Sequence, residues 1–177
     1  MKYLVVSDIH GSLFYANKIT EIIKKEQIDK LILLGDLYYH GPSNNLPKEY
    51  NPMEVSKLLN GLKDMILCVK GNCDAEVDEM ISEFSFKENI ELIIKNKKFM
   101  FTHGHKYNID NKVENIDVLI YGHFHTGFIK KVDNVIYINS GSLSLPKNNT
   151  KNSYLIIDEE YIYLKDIDEN EIDKVKF

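Results

Sequence analysis

Five short apolar runs in this chain each end on a cluster of side chains that bind metals, and this repetition restricts the fold more than any other feature. Tyr3-Leu4-Val5-Val6 leads to Asp8-Ile9-His10, and Leu31-Ile32-Leu33-Leu34 leads to Gly35-Asp36. Met65-Ile66-Leu67-Cys68-Val69 leads to Gly71-Asn72-Cys73-Asp74. Phe99-Met100-Phe101 leads to His103-Gly104-His105, and Val118-Leu119-Ile120-Tyr121 leads to Gly122-His123-Phe124-His125. Runs this short, rich in β-branched and aromatic residues, read as buried strands. Histidine and carboxylate are the ordinary ligands of borderline divalent metals. Strands that deliver them from their ends must converge, so the sequence predicts a metal site, and a catalytic one.

The first half alternates strand and helix: strands over 2–7, 30–35 and 65–70, helices over 12–26 and 53–62, and a Pro-bearing irregular loop between residues 42 and 52. The second half is β-rich, with strands expected near 84–86, 90–95, 97–102, 117–121, 128–132, 134–139, 153–158 and 161–166, and at most a helical turn near 75–82. Residues 166–177 are acidic, Lys-rich and weakly patterned, which predicts a strand remnant or a frayed tail. Alternation followed by a β-rich half predicts an α/β (α+β) fold, a mixed sheet packed on a second sheet with helices outside. The 177 residues form one expected domain.

Charge narrows the function classes. The 22 basic residues, all Lys, face 27 acidic ones for a net charge of −5, which disfavours a long nucleic acid as partner. Without Arg, a phosphate site must rely on metals, Lys, Asn, His and backbone amides. Two cysteines, Cys68 and Cys73, are too few for a disulfide framework. No secretory pattern and no apolar stretch near the ~20 residues of a membrane span is visible, so a cytoplasmic setting without a membrane partner is expected.

Several of the candidates have a bland alternative. Asp8 could cap the helix near Ser12, with His10 solvated; Gly71-Asn72 could be a plain turn; His40-Gly41-Pro42 is as much a surface turn as a site element. Asp36, at the end of a doubly buried strand, is costly to bury unless paired or metal-bound, and its two oxygens suit a bridge. The two His-x-His pairs are sharper, because buried imidazoles need partners. Asp8, His10, Asp36, Asn72, His103, His123 and His125 together supply seven N/O donors without sulfur. One tetrahedral zinc needs four, so seven suffice for two adjacent divalent ions. Such donors suit Mn, Fe, Zn or Ni better than thiolate-seeking metals, and two Mn²⁺ ions are the expectation.

The ordered series Asp8-x-His10, Gly35-Asp36, Gly71-Asn72, His103 and Gly122-His123-x-His125 resembles the calcineurin-like metallophosphoesterase family. Ser7-Asp8-Ile9-His10-Gly11-Ser12-Leu13, His40-Gly41-Pro42, Gly71-Asn72-Cys73-Asp74 and Thr102-His103-Gly104-His105 are most similar to its small bacterial YfcE-type phosphodiesterases. The resemblance continues to Gly141-Ser142 and Pro146-Lys147. It implies a four-layer αββα sandwich, with one metal on Asp8, His10, Asp36 and His125 and the other on Asp36, Asn72, His103 and His123. It further implies hydrolysis of small phosphodiesters by a hydroxide between the metals. Asn72 and His105 would hold the phosphate, and Cys73 would line the leaving-group side, where many relatives carry His. Ser43, Phe124 and Ser140 depart from the family pattern. The competing expectations are a nuclease and a non-catalytic scaffold of the retromer-subunit type. A homo-oligomer is compatible with any of these.

Overall fold

The computed structural model describes residues 1–177. Strand β1 (Tyr3–Val6) is buried along its whole length, as its apolar run requires. The Ser12 hydroxyl then accepts the Tyr15 amide and starts helix α1 (Leu13–Glu26), which buries Ala16, Ile19 and Ile22. After β2 (Lys30–Leu33) the irregular loop runs to Asn51, which caps α2 (Pro52–Asn60) with Pro52 in its first turn. Strand β3 (Ile66–Val69) is followed by the short helix α3 (Glu76–Ile81), where the sequence suggested a turn. β4 (Phe86–Lys87), β5 (Ile90–Ile94), β6 (Lys97–Phe101), β7 (Val118–Tyr121), β8 (Phe128–Val132), β9 (Val135–Asn139), β10 (Ser153–Ile157), β11 (Tyr161–Asp166) and β12 (Glu171–Lys176) complete the chain.

Two mixed sheets result. One has seven strands in the order β12-β11-β10-β1-β2-β3-β4, the other five in the order β5-β6-β7-β9-β8. β1, β2, β3 and β4 are mutually parallel in the first sheet, and β6, β7 and β9 in the second. Alternation along each strand divides the core. Val5, Ile32 and Val69 meet Phe99, Phe101, Val118 and Ile120 between the sheets. Leu4, Val6, Leu31 and Leu33 face the other way, onto α1 and α2. On the outer face of the second sheet, Met100, Leu119 and Tyr121 are covered by Tyr107, Ile109 and Val113 of the loop after β6. That loop forms the fourth layer, so the helices lie on one side of the sandwich.

The C-terminal segment forms a regular edge strand, which agrees with the expectation of a strand there and corrects only that of a frayed tail. Asp166 Oδ1 accepts the amides of Asp168 and Asn170 and closes the turn, and β12 then pairs antiparallel with β11. Most of β12 is exposed, so ladder hydrogen bonds hold it, and no hydrophobic pattern announces it. Phe177 anchors its end, edge-on to Phe99 at 4.9 Å between ring centroids. No helix is long and apolar enough to cross a membrane.

Candidate metal centre

The parallel strands of both sheets point their carboxyl ends at one edge of the sandwich, the usual place for a site in such sheets. Asp8 and His10 follow β1, Asp36 follows β2, Asn72 follows β3, His103 follows β6, and His123 and His125 follow β7. The backbone bends sharply to deliver them. Asp8, His10, Asp36, His123 and His125 all have positive φ, between 50° and 65°. Such left-handed residues cost about 1–3 kcal/mol each and persist only where the surroundings impose them. Five of the seven expected ligands adopt this state, and turns elsewhere, such as Lys95-Asn96 and Asp133, adopt it too, so the gathering of the side chains at one edge is what singles these five out.

Asp8 is the hub. Its Oδ1 lies 3.2 Å from His125 Nε2 and 3.5 Å from His10 Nε2. Asp36 Oδ2 lies 3.8 Å from His10 Nε2 on one side and 3.4 Å from His103 Nε2 on the other. His103 Nε2 is also 2.9 Å from Asn72 Oδ1. Two potential metal triads follow, Asp8–His10–His125 and Asp8–Asp36–His103, all buried. His123 stands at the rim, half-buried, its ring 5.1 Å from that of His103, and belongs to neither triad.

The surroundings fix the imidazoles. His10 Nδ1 donates to the Tyr39 carbonyl at 2.7 Å, His103 Nδ1 to Leu34 at 2.7 Å and His125 Nδ1 to Leu145 at 2.6 Å. Each Nε2 is thereby turned inward as a donor to a metal. His10 and His125 then face one another, Nε2 to Nε2, at 3.2 Å, and the buried Asp8 Oδ1 has no hydrogen-bond partner. Opposed lone pairs beside an orphaned carboxylate oxygen call for a cation between them, so the donor set fits a divalent metal.

Charges in the protein alone respond to the same need. Burial opposes ionisation of Asp8, but His10 and His125 outweigh it and hold the carboxyl well below its usual range. Burial likewise raises and His103 lowers Asp36, with a net fall. Burial disfavours protonated His103, yet Asp36 and Asp8 carry its pKa up to about 9. A proton there stands in for a metal's charge.

Residues 1–161 match the calcineurin-like phosphoesterase superfamily domain. The chain belongs to this superfamily. It is 35% identical to phosphodiesterase YfcE of Escherichia coli strain K12 over 165 residues, covering 92% of this chain and 90% of that one. The solved structure of E. coli YfcE superposes with a TM-score of 0.96 at 32% identity, covering 99% of each chain. The zinc complex of Vps29 from Entamoeba histolytica, at 22% identity and a TM-score of 0.65 over 99% of each chain, shares the fold alone.

The remaining candidates of this phosphoesterase sit around the triads. His105 lies outside them, its ring 5.4 Å from that of His103; burial and then His103 lower its pKa, leaving it neutral. Cys73 donates its amide to Asp36 Oδ1 at 2.8 Å, and burial and then Asp36 raise its thiol to about 12. His40 is not in the cluster; it packs edge-on against Tyr39 and Tyr50, the turn reading of that segment. Phe124 is exposed at the rim, against His123.

A set of supporting residues carries no local sign in the sequence of what it serves. Asp74 accepts the amides of Asp36, Leu37 and Gly71, at 2.8, 2.9 and 2.7 Å, tying the β2 loop to the β3 loop. Ser142 and Ser144 both donate to the Asp8 carbonyl, at 2.8 and 3.0 Å, and Ser7 donates to Asp8 Oδ2 at 2.5 Å. Gly71 and Gly122 are required by close approach: a Cβ on Gly71 would lie 2.1 Å from Asp36 Oδ1, and one on Gly122 1.9 Å from Ser7 Oγ. The Gly71–Asp74 and Gly141–Ser142 motifs were visible, but which side chain serves a neighbouring loop follows only from the fold.

Proposed function

We propose that this chain is a metal-dependent phosphodiesterase, a phosphoric diester hydrolase acting on small phosphodiesters. Two divalent ions would be held by Asp8, His10, Asp36, Asn72, His103, His123 and His125. The observation that carries this is the pair of buried triads joined through Asp8, with Asp36 Oδ2 between His10 and His103. Family membership and the likeness to YfcE support the same reading.

When bound, the ions supply charge that neutralises the phosphoryl oxygens and acidify a water nucleophile. The chain's residues do the rest. Backbone carbonyls hold three imidazoles with Nε2 facing inward. Asn72 is a neutral ligand, so the site keeps a net positive charge toward an anionic substrate. Asn72 and His105 orient the phosphate, a task that falls to them because the chain has no Arg. Cys73 lines the leaving-group side as a neutral thiol.

Mn²⁺ is the expected ion, with Fe, Zn and Ni as the others this imidazole-rich set accepts. Residues 1–177 act as one domain, in the cytoplasm, with neither a membrane nor a long nucleic acid as partner. Intact His10 and His103 within the triads weigh against a decayed scaffold. The test compares hydrolysis of an aryl phosphodiester and its matching monoester by the Mn²⁺-loaded protein. Faster diester cleavage is expected; a protein inert toward both contradicts the reading.

A further inference from the structure

The Gly71–Asp74 loop stands between two clefts of opposite chemistry. On its Asn72 side lies a cavity of about 420 Å³ lined by Lys70, Lys87, Glu88, His105 and Lys106. On its Cys73 side lies one of about 300 Å³ lined by Tyr38, Tyr39, Tyr50, Pro52, Cys73 and Val77. The second cleft adjoins the metal centre, because two of its wall residues bond to expected metal ligands through their backbone. Cys73 donates its amide to Asp36, and the Tyr39 carbonyl receives the Nδ1 proton of His10.

We propose that this aromatic cleft receives a flat aromatic ring carried by one ester group of the substrate, so that the substrate class is an aryl-bearing phosphodiester. The inference rests on the phosphodiesterase reading and narrows it. No Lys lines the cleft, and its one charged wall residue, Asp78, is already engaged with the Ala75 amide at 2.8 Å. A charged or heavily hydrated substituent entering there loses water and gains no partner. A ring instead buries apolar surface against Tyr39, 42% exposed, and Val77, 58% exposed. Edge-to-face contacts already run from Tyr39 to His40 at 4.7 Å and from His40 to Tyr50 at 5.3 Å, and an incoming ring extends that arrangement. The Lys-lined cleft opposite suits the hydrated or anionic remainder of the same molecule.

The test uses the Mn²⁺-loaded protein hydrolysing a chromogenic diester, inhibited competitively by methylphosphonate or phenylphosphonate. Wild type should bind the phenyl compound at least about tenfold more tightly. Tyr39→Ala and Val77→Lys should each bring that ratio within about threefold of unity. Reading the ratio inside each variant separates loss of the ring's contacts from general damage. Lys87→Ala, on the opposite cleft, should leave the ratio as in wild type. A wild-type ratio near one overturns the proposal, as does a ratio that survives both cleft variants or that only Lys87→Ala abolishes. A wild type that turns over no diester removes the phosphodiesterase reading itself, and this subsite with it; normal turnover with a flat ratio removes the subsite alone.

Discussion

The carboxylate of Asp74 accepts the backbone N–H of Asp36 at 2.8 Å, so one buried acid positions another without touching the metal donors. The same side chain takes the amides of Leu37 and Gly71 and fixes the spacing of the β2 and β3 loops. Burial raises its pKa to about 6 despite these three bonds, a sign of how little solvent reaches it. Asp74→Asn places an amide N–H₂ against backbone donors. The expected cost is about 1–3 kcal/mol of stability, read by denaturant unfolding. Metal affinity should fall about 10–100-fold, as for other residues that orient ligands. Unchanged affinity would show that the loops hold their spacing without it.

Asp36→Asn should abolish turnover while leaving the fold intact. Its Oδ2 is shared between the His10 and His103 sides of the cluster, so both ion sites weaken together. Circular dichroism and metal analysis of the purified variant check this. Near-native kcat with two bound ions would remove Asp36 from the bridging position.

Metal binding should release protons. In the metal-free protein the folded-state pKa of His103 is raised from 6.5 to about 9, burial opposing and Asp36 favouring the proton. The contribution of this pair to stability is therefore complete below pH 6.5 and lost as pH rises through about 9. The melting temperature of the chelated protein should fall across that interval. An ion must displace the His103 proton, so apparent affinity should rise by about tenfold per pH unit from 7 to 9. Calorimetry in buffers of different ionisation enthalpy would detect the released proton; none released at pH 7.5 would contradict a ligand role for His103.

Cys73 should make the rate sensitive to the leaving group. Its thiol, raised to about 12, is a weak acid beside the site, so an alkoxide departs without an effective proton donor. General-acid help is worth roughly 10²–10⁴-fold where present. The rate should thus fall steeply as the leaving group becomes less acidic, and Cys73→His should recover part of the loss on poor leaving groups. A neutral effect of that substitution would reduce Cys73 to a turn residue.

The convergence of apolar runs on Asp, Asn and His was legible because strand periodicity and ligand chemistry are both local properties of the chain. His40 shows the limit: beside Gly41 and Pro42 it could be ligand or turn, and only packing against Tyr39 and Tyr50 decides. Asp74, Ser142 and Ser144 act on backbone groups far away in sequence, so no local pattern marks their targets. In the sequence β12 reads equally as strand remnant or frayed tail, because an exposed edge strand needs ladder bonds but no apolar face. The positive φ of five expected ligands was equally hidden, since tertiary contacts impose it.

Phosphodiester hydrolysis driven by two divalent ions on this cluster must vanish and return with those ions. The most direct test is to strip the protein with chelator and titrate Mn²⁺ back while following both bound metal and cleavage of an aryl diester. Activity should be absent without metal, should rise to saturation at two ions per chain, and should be restored by Mn²⁺ at least as completely as by Mg²⁺. Full activity in chelator, or activity restored by Mg²⁺ and not by Mn²⁺, would contradict that dependence.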